Sequence, residues 1–245
     1  MNDNQFSRTQ LLFGREALER LAKAKVAVFG VGGVGGYAVE VLARSGVGTL
    51  ALVDNDCVSL SNLNRQLIAL HSTVGRLKVD VFAERIHDIN PDCIVRKFPM
   101  FYLPENADEI ALTDYDYVVD CIDTVKAKLE LIRRCHRLDI PIISSMGAAN
   151  KLDPTAFRVS DISKTSMDPL AKVLRKTLRK EGILHFKVVY SEEEPRQPII
   201  EDEESRREAE ALAGNGRRSL PASCAFVPAA AGLIIGGEVV KELAQ

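Results

Sequence analysis

The five cysteines, Cys57, Cys93, Cys121, Cys135 and Cys224, stand singly, and no C-x-x-C pair occurs. That excludes a tetrahedral zinc centre built from two such pairs, so no zinc is expected. An odd, unpaired count also suits a reducing compartment. Charge imbalance is missing too: 32 basic residues face 34 acidic ones, formally −2. Global charge therefore announces no nucleic-acid binder, and such a partner would need a local basic patch. A long uncharged run is also lacking. The most apolar stretch, 226–243, carries Glu238, Lys241 and central glycines. It reads as a buried helix, because a membrane span needs roughly 20 uncharged residues. The first eight residues are polar, with no apolar signal region. The expectation is a cytoplasmic chain without membrane contact.

What is present is organised around residues 25–37. An unbroken apolar run, 26–29, reads as a buried strand. Gly30, Gly32 and Gly35 follow at G-x-G-x-x-G spacing, enriched by Gly33 and Gly36, and from Val34 the apolar period becomes helical. Strand, glycine turn and helix form the context of a dinucleotide fingerprint. The turn lets backbone approach a phosphate, and the helix offers unpaired N–H groups and its positive dipole end. Alone, the motif serves a NAD enzyme, an ATP user or a flavoprotein equally.

Upstream, 10–24 reads as an amphipathic helix or helix pair. A second strand over 49–54 ends in Asp54, about 20 residues past the glycines, where a carboxylate takes ribose hydroxyls. The segment 54–66 is dense in polar side chains just beyond a strand end. Ligands of open α/β sheets sit there, which puts Arg65 at the nucleotide. A helix is expected over 73–86, capped by Ser72 or Thr73, with Val74, Leu77, Val81 and Ile86 buried. Lys78 lies one turn in, either a solvated lysine or a phosphate ligand. Strands follow at 93–98, 117–123 and 140–145, and a helix at 125–138. Asp123, at a strand end before that helix, suits Mg²⁺ beside a triphosphate or a simple helix cap. The alternation through 145 predicts a Rossmann-like, doubly wound, mainly parallel α/β sheet. The whole chain, 1–245, is read as one unit with a nucleotide-binding part, 1–150, and a C-terminal part, 151–245.

After 150 the pattern changes. Residues 155–159 alternate, as an antiparallel addition would. Asp168 caps and Pro169 opens a helix that Gly182 closes. Leu170, Val173, Leu174, Thr177 and Leu178 share one face. Lys172, Arg175, Lys176, Arg179 and Lys180 share the other, almost without carboxylates, and Lys164 precedes them. Such a face favours an anionic partner over a merely solvated one. Residues 185–190 read as a strand, 192–215 as a charged loop with a short helix, and 220–245 as a final helix. Phosphoryl or adenylyl chemistry needs cations and a metal around the α-phosphate. Arg65, Lys78 and Asp123 therefore tilt the glycine turn toward ATP.

Taken together, Gly30-x-Gly-Gly-x-Gly35, Asp54-x-Asp56, Ser61-Asn-Leu-x-Arg-Gln66, Gly75-x-x-Lys78 and Asp120-Cys-x-Asp123 resemble the E1-like adenylating family, the MoeB and ThiF relatives. The resemblance implies that Gly33 and Asp54, with Asp56, meet the adenosine part. Ser61, Asn62, Arg65 and Gln66 would line the triphosphate, and Lys78 would hold phosphate. Asp123, beside Thr124, would hold Mg²⁺. Arg8 matches a family arginine that reaches the neighbouring subunit's ATP, which implies a homodimer. The ubiquitin-like carrier activators of the family usually carry the zinc pairs and a crossover cysteine that this chain lacks. The run 161–172 resembles instead the tRNA threonylcarbamoyladenosine (t6A) dehydratase branch. That branch uses ATP to cyclise t6A at position 37 of tRNA, so the basic helix would contact tRNA. Its members can also bind a monovalent cation, K⁺ or Na⁺, and can meet a sulfur-relay protein. The alternatives are adenylation of a carrier's C-terminal Gly-Gly, and a noncatalytic tRNA-binding or sulfur-transfer scaffold.

Overall fold

The computed structural model describes residues 4–214 and 220–245. Seven strands form one sheet in the order β3-β2-β1-β4-β5-β7-β6. They are β1 (Lys25–Phe29), β2 (Thr49–Val53), β3 (Ile94–Phe98), β4 (Tyr117–Asp120), β5 (Ile142–Ser145), β6 (Phe157–Asp161) and β7 (Lys187–Ser191). Every neighbouring pair is parallel except β6 with β7. Strands from the C-terminal part thus extend the sheet begun by the nucleotide-binding part. The helices are α1 (Ser7–Phe13), α2 (Arg15–Lys23), α3 (Gly35–Arg44), α4 (Lys78–Ile89), α5 (Val125–Leu138), α6 (Pro169–Arg179), α7 (Glu203–Gly214) and α8 (Val227–Leu243).

The central strands are apolar throughout because both faces are covered. Val26, Val28, Leu50 and Leu52 point into one core with Leu21, Leu42, Phe82 and Ile235, so α2, α3, α4 and α8 lie on that side. Ala27, Phe29, Ala51 and Val53 point into the other, with Leu131, Ile132, Leu174 and Leu178 of α5 and α6. Period-two alternation survives in the side chains' destinations, although no polar residue marks it. The strand order reverses between β1 and β4, which opens a crevice at the carboxyl ends of β1, β2 and β4. The apolar stretch near the C-terminus is α8, packed across α3. A Cβ on Gly232 would lie 2.2 Å from the Val34 carbonyl oxygen, so the glycine permits the close crossing. Among the described residues, no helix is long and apolar enough to cross a membrane.

Three expectations need correction. The helix expected over 73–86 begins only at Lys78, and neither Ser72 nor Thr73 caps it. Gly75 takes a left-handed φ of 87°, which interrupts any helix before it. The Thr73 hydroxyl instead closes a tight turn, accepting from Leu70 N–H at 2.9 Å and donating to the Ile68 carbonyl at 2.7 Å. Val74 is consequently exposed. On α6 the buried stripe is Ala171, Leu174 and Leu178, while Val173 sits about 100° away from Leu174 and is exposed. Strand β4 stops at Asp120, so Asp123 stands on the loop beyond it. The charged segment before α8 does contain a helix, α7, and residues 215–219 of that segment lie outside the described residues.

Candidate active site

The crevice is a cavity of about 460 Å³. Gly30, Gly32, Asp54, Asp56, Asn62, Arg65, Gln66, Lys78, Asp123 and Thr124 line it, so ten of the expected residues converge. Gly30 has a φ of 81°, and a Cβ there would strike the Cys121 carbonyl oxygen at 2.7 Å. Gly35 lies beneath the cavity, where a Cβ would stand 1.8 Å from the Gly30 carbonyl oxygen. Its role is therefore the close packing of α3 on the turn. Gly33 packs near Arg65 and Pro228. Gly33, Gly35, Ser61 and Arg8 do not line the cavity. No side chain caps the start of α3; there the Gly36 N–H donates to the Gly32 carbonyl at 2.9 Å and the Tyr37 N–H to the Val34 carbonyl at 3.1 Å, which closes the turn onto the helix.

Lys78 opens α4 and is buried. Its Nζ lies 2.7 Å from Asp56 Oδ2 and 3.8 Å from Asp54 Oδ1. Asp54 Oδ2 accepts from Val31 N–H at 2.9 Å, and Oδ1 accepts from Asp56 N–H at the same distance. One carboxylate thereby ties the glycine turn to the polar loop after β2. Burial pushes the Asp54 carboxyl above its ordinary value, against the pull of Lys78 and the two amides. Arg65 is held from behind: its Nη1 donates to the Ser61 carbonyl at 3.1 Å and to Asn64 Oδ1 at 2.9 Å. Asn62 Oδ1 accepts from Ser59 N–H at 3.1 Å, which shapes the turn presenting Arg65. The Ser61 hydroxyl lies 3.1 Å from that of Ser59.

Several lining residues escaped the sequence reading. Met100, Phe101 and Tyr102 come from the loop after β3, and the rule that ligands sit at strand carboxyl ends was the signal for them. Tyr102 packs edge-on against Phe29, with ring centroids 4.9 Å apart. The Gln66 Oε1 and Tyr102 hydroxyl atoms are buried without a hydrogen-bond partner among the described residues. Buried orphans beside a cavity fit a polar ligand. Cys121 also lines the wall, but burial pushes its thiol up to about 12, which makes it a poor nucleophile at neutral pH.

Beneath the loop 121–124 lies a buried triad that was also missed. Lys128 Nζ donates to Asp120 Oδ2 at 2.9 Å and to Ser144 Oγ at 3.2 Å. Asp120 Oδ1 accepts from Ile122 N–H at 3.2 Å. Asp123 itself is exposed to the cavity, and no side chain caps α5, so the helix-cap alternative falls. Among the described residues, no cluster of three or more metal-ligating side chains occurs. Asp123 with the neighbouring Thr124 hydroxyl still fits Mg²⁺, which commonly takes one carboxylate plus phosphate oxygens and water.

The basic residues of α6 gather on one surface. Lys172, Arg175, Lys176, Arg179 and Lys180 line a shallow depression, and Lys164 is exposed on the preceding turn. Arg175 differs from the rest. Its Nη1 donates to the Thr165 carbonyl at 2.9 Å and to the Thr165 hydroxyl, which anchors the turn before the helix.

The ThiF family model matches residues 6–245. The tRNA threonylcarbamoyladenosine dehydratase of Bacillus subtilis is 51% identical over 247 residues, covering 98% of this chain and 94% of that protein. The Escherichia coli protein of the same name is 44% identical over 177 residues, covering 72% of this chain and 66% of its own. The solved structure of the E. coli dehydratase, TcdA, in complex with ATP superposes with a TM-score of 0.85 at 36% identity, covering 98% of this chain and 93% of that one. Likeness over almost the whole length, in sequence and in fold, places the chain in the ThiF family.

Proposed function

We propose that the protein is an ATP-dependent tRNA t6A dehydratase. The observation that carries this reading is the convergence of Arg65, Lys78 and Asp123 around the glycine turn, in a chain so similar to named dehydratases. ATP occupies the cavity, with its phosphates toward the turn and the start of α3. Lys78 and Arg65 meet the phosphates and offset the charge that grows at the α-phosphorus. Bound Mg²⁺, held by Asp123, would add charge neutralisation to the leaving pyrophosphate. A carboxylate oxygen of the t6A threonyl group attacks the α-phosphorus, an O–P bond forms, and the bond to pyrophosphate breaks. A nucleophile within the same modified base then attacks the acyl carbon. AMP leaves with that carboxylate oxygen, so the net change in the tRNA is loss of one water. No protein nucleophile is required, which agrees with the buried, high-pKa thiol of Cys121.

The basic face of α6 supplies the tRNA contact, since Lys and Arg displace counterions condensed on phosphate. The C-terminal part thus carries tRNA recognition, and it shares subunit packing with the N-terminal helix α1. Helix α1 supports a homodimer: it buries no residue, Leu11 and Leu12 are exposed, and Arg8 on it does not line its own cavity. In a dimer Arg8 completes the neighbouring subunit's site. Such a protein works in the cytoplasm, where tRNA is modified, and a sulfur-relay partner or a monovalent cation would act on it there.

The test is incubation of the protein with ATP, Mg²⁺ and tRNA carrying t6A. The expected result is stoichiometric AMP and a loss of one water at position 37 by mass spectrometry. AMP formation only with a Gly-Gly-ended carrier protein would reject the reading.

A further inference from the structure

A second cavity, of about 470 Å³, opens at the carboxyl side of β5 and β7. Its walls include Leu152, Arg196, Gln197, Pro198, Ile199 and Ser223. None of these has a part in holding ATP. The size falls in the range of small-molecule sites, roughly 300–1,000 Å³.

The pocket is built, not incidental. Asn150 adopts a left-handed φ of 61°, uncommon for a residue with a side chain. Its N–H donates to the Ala222 carbonyl at 2.8 Å, and its Oδ1 accepts from Ala222 N–H at 2.7 Å. Its own carbonyl accepts from Arg196 N–H at 2.7 Å. One strained residue therefore clamps two walls that are distant in sequence. The third wall is tied by Glu193, whose carboxylate accepts from Leu152 N–H at 3.0 Å and Asp153 N–H at 2.8 Å. The buried Lys151 Nζ donates to the Glu193 carbonyl at 2.7 Å.

The pocket also adjoins the ATP cavity. Asn64 stands between them: its Oδ1 accepts from Arg65 Nη1 at 2.9 Å, and its Nδ2 donates to the Ser223 carbonyl at 3.0 Å. Arg65 lines the first cavity and Ser223 the second. A ligand in the second pocket thus has one amide side chain between itself and a phosphate-binding arginine.

We infer that this second pocket seats the splayed purine of the tRNA substrate, with its threonylcarbamoyl arm directed past Asn64 toward Arg65. The inference rests on the proposed function and names where that substrate's base sits. Leu152, Pro198 and Ile199 offer apolar surface to a base face, and Leu152 and Ile199 are exposed, Ile199 by 85%. Gln197 offers an amide that can both donate and accept at a base edge. Arg196, whose Nε lies 3.4 Å from Glu193 Oε1, has a side chain 64% exposed, and its outer N–H groups face the adjoining phosphate in this assignment. Single-stranded loop bases are recognised through this combination of face, edge and backbone contacts. A carrier's Gly-Gly tail, by contrast, has no side chain to cover the apolar wall.

The test compares two anticodon stem–loop RNAs, one with t6A at position 37 and one abasic there, binding to the full-length protein. The protein should bind the t6A hairpin about tenfold more tightly, a difference of about 1.4 kcal/mol. Leu152→Ser with Ile199→Ser should reduce that preference to within about twofold while leaving affinity for the abasic hairpin and for ATP unchanged. Both side chains are exposed, and unaltered thermal melting checks the fold; Gln197→Ala alone should weaken the preference in the same direction. A preference retained by these variants overturns the pocket assignment, as does binding of a Gly-Gly-ended peptide that the double variant abolishes. AMP release by the unaltered protein with the t6A hairpin, measured in the same series, separates the two levels. If AMP forms and the preference survives substitution, only the pocket assignment falls. If no AMP forms, the functional reading falls and the pocket assignment with it.

Discussion

Lys128 Nζ lies 2.9 Å from Asp120 Oδ2, and both side chains are buried beneath the loop that carries Asp123. Because Asp120 also accepts from Ile122 N–H, the pair sets the path of the chain between β4 and α5. Lys128→Met would leave a buried carboxylate without its cation. The expected cost is about 3 kcal/mol, read as a shift in urea denaturation. Asp120→Asn combined with Lys128→Met should cost less than the single change, since no buried charge is then stranded. A single variant as stable as the unaltered protein would remove the pair from the account. At temperatures where it remains folded, Lys128→Met should also form AMP more slowly, because Asp123 is less firmly placed.

The tRNA contact assigned to α6 has its own signature. Lys172, Lys176 and Arg179 form no ion pair among the described residues, so their charge is available to an anion. Arg175 is left out of the substitution because it anchors Thr165, and its loss would confuse structure with binding. Changing the three to Ala should weaken tRNA binding and flatten its salt dependence by up to about 0.9 in log–log slope for each phosphate no longer neutralised. ATP affinity should stay the same. An unchanged slope would return these residues to an ordinary solvated face.

Much of this arrangement was legible in the sequence, and the failures have physical causes. The apolar strands, the glycine turn and Asp168 as the cap of α6 are local signals, and each stands where its chemistry put it; Asp168 accepts from Ala171 N–H at 2.9 Å. The buried position of Lys78 was not local. It depends on Gly75 breaking the helix and on Asp56 arriving from another segment, so periodicity alone stretched the helix too far. Tyr102, Asn64 and Lys128 were missed for the same reason. Their partners, Phe29, Ser223 and Asp120, are brought to them by tertiary packing, and no spacing in the chain marks them.

Between α3 and α4, the Arg85 guanidinium grips Glu40 with two bonds of 2.8 Å. Burial alone would raise the Glu40 carboxyl, but the bonds from Arg85 and Arg44 outweigh it and hold the group below its ordinary 4.5. A lowered carboxyl stabilises the fold above its unfolded-state pKa, and the contribution disappears as pH falls through the folded value. Glu40→Gln should therefore cost about 1 kcal/mol near pH 7, given the partial exposure of Arg85. As the pH falls through the lowered folded value the two proteins should approach equal stability. Urea titrations across that range check it, and a gap that stays constant with pH would mean the pair acts by shape and not by charge.

Arg8 and Lys78 give the sharpest test of the site, since one is exposed on α1 away from the cavity and the other is buried in it. Lys78→Ala removes the cation from beside Asp54 and Asp56 and should lower AMP formation at least 100-fold, with tRNA binding largely kept, the scale of removing one transition-state charge donor. Arg8→Ala should be similarly impaired if Arg8 reaches across to a second copy. Each variant then spoils a different half of the composite site. In a mixed dimer, the intact Lys78 of one subunit meets the intact Arg8 of the other, and one site of the two is whole. Equal mixing with subunit exchange should therefore restore about a quarter of full activity, because about half the dimers are mixed and each has one good site. Recovery above the sum of the separate variants places Arg8 in trans. No recovery despite demonstrated exchange would mean that Arg8 serves its own subunit or none.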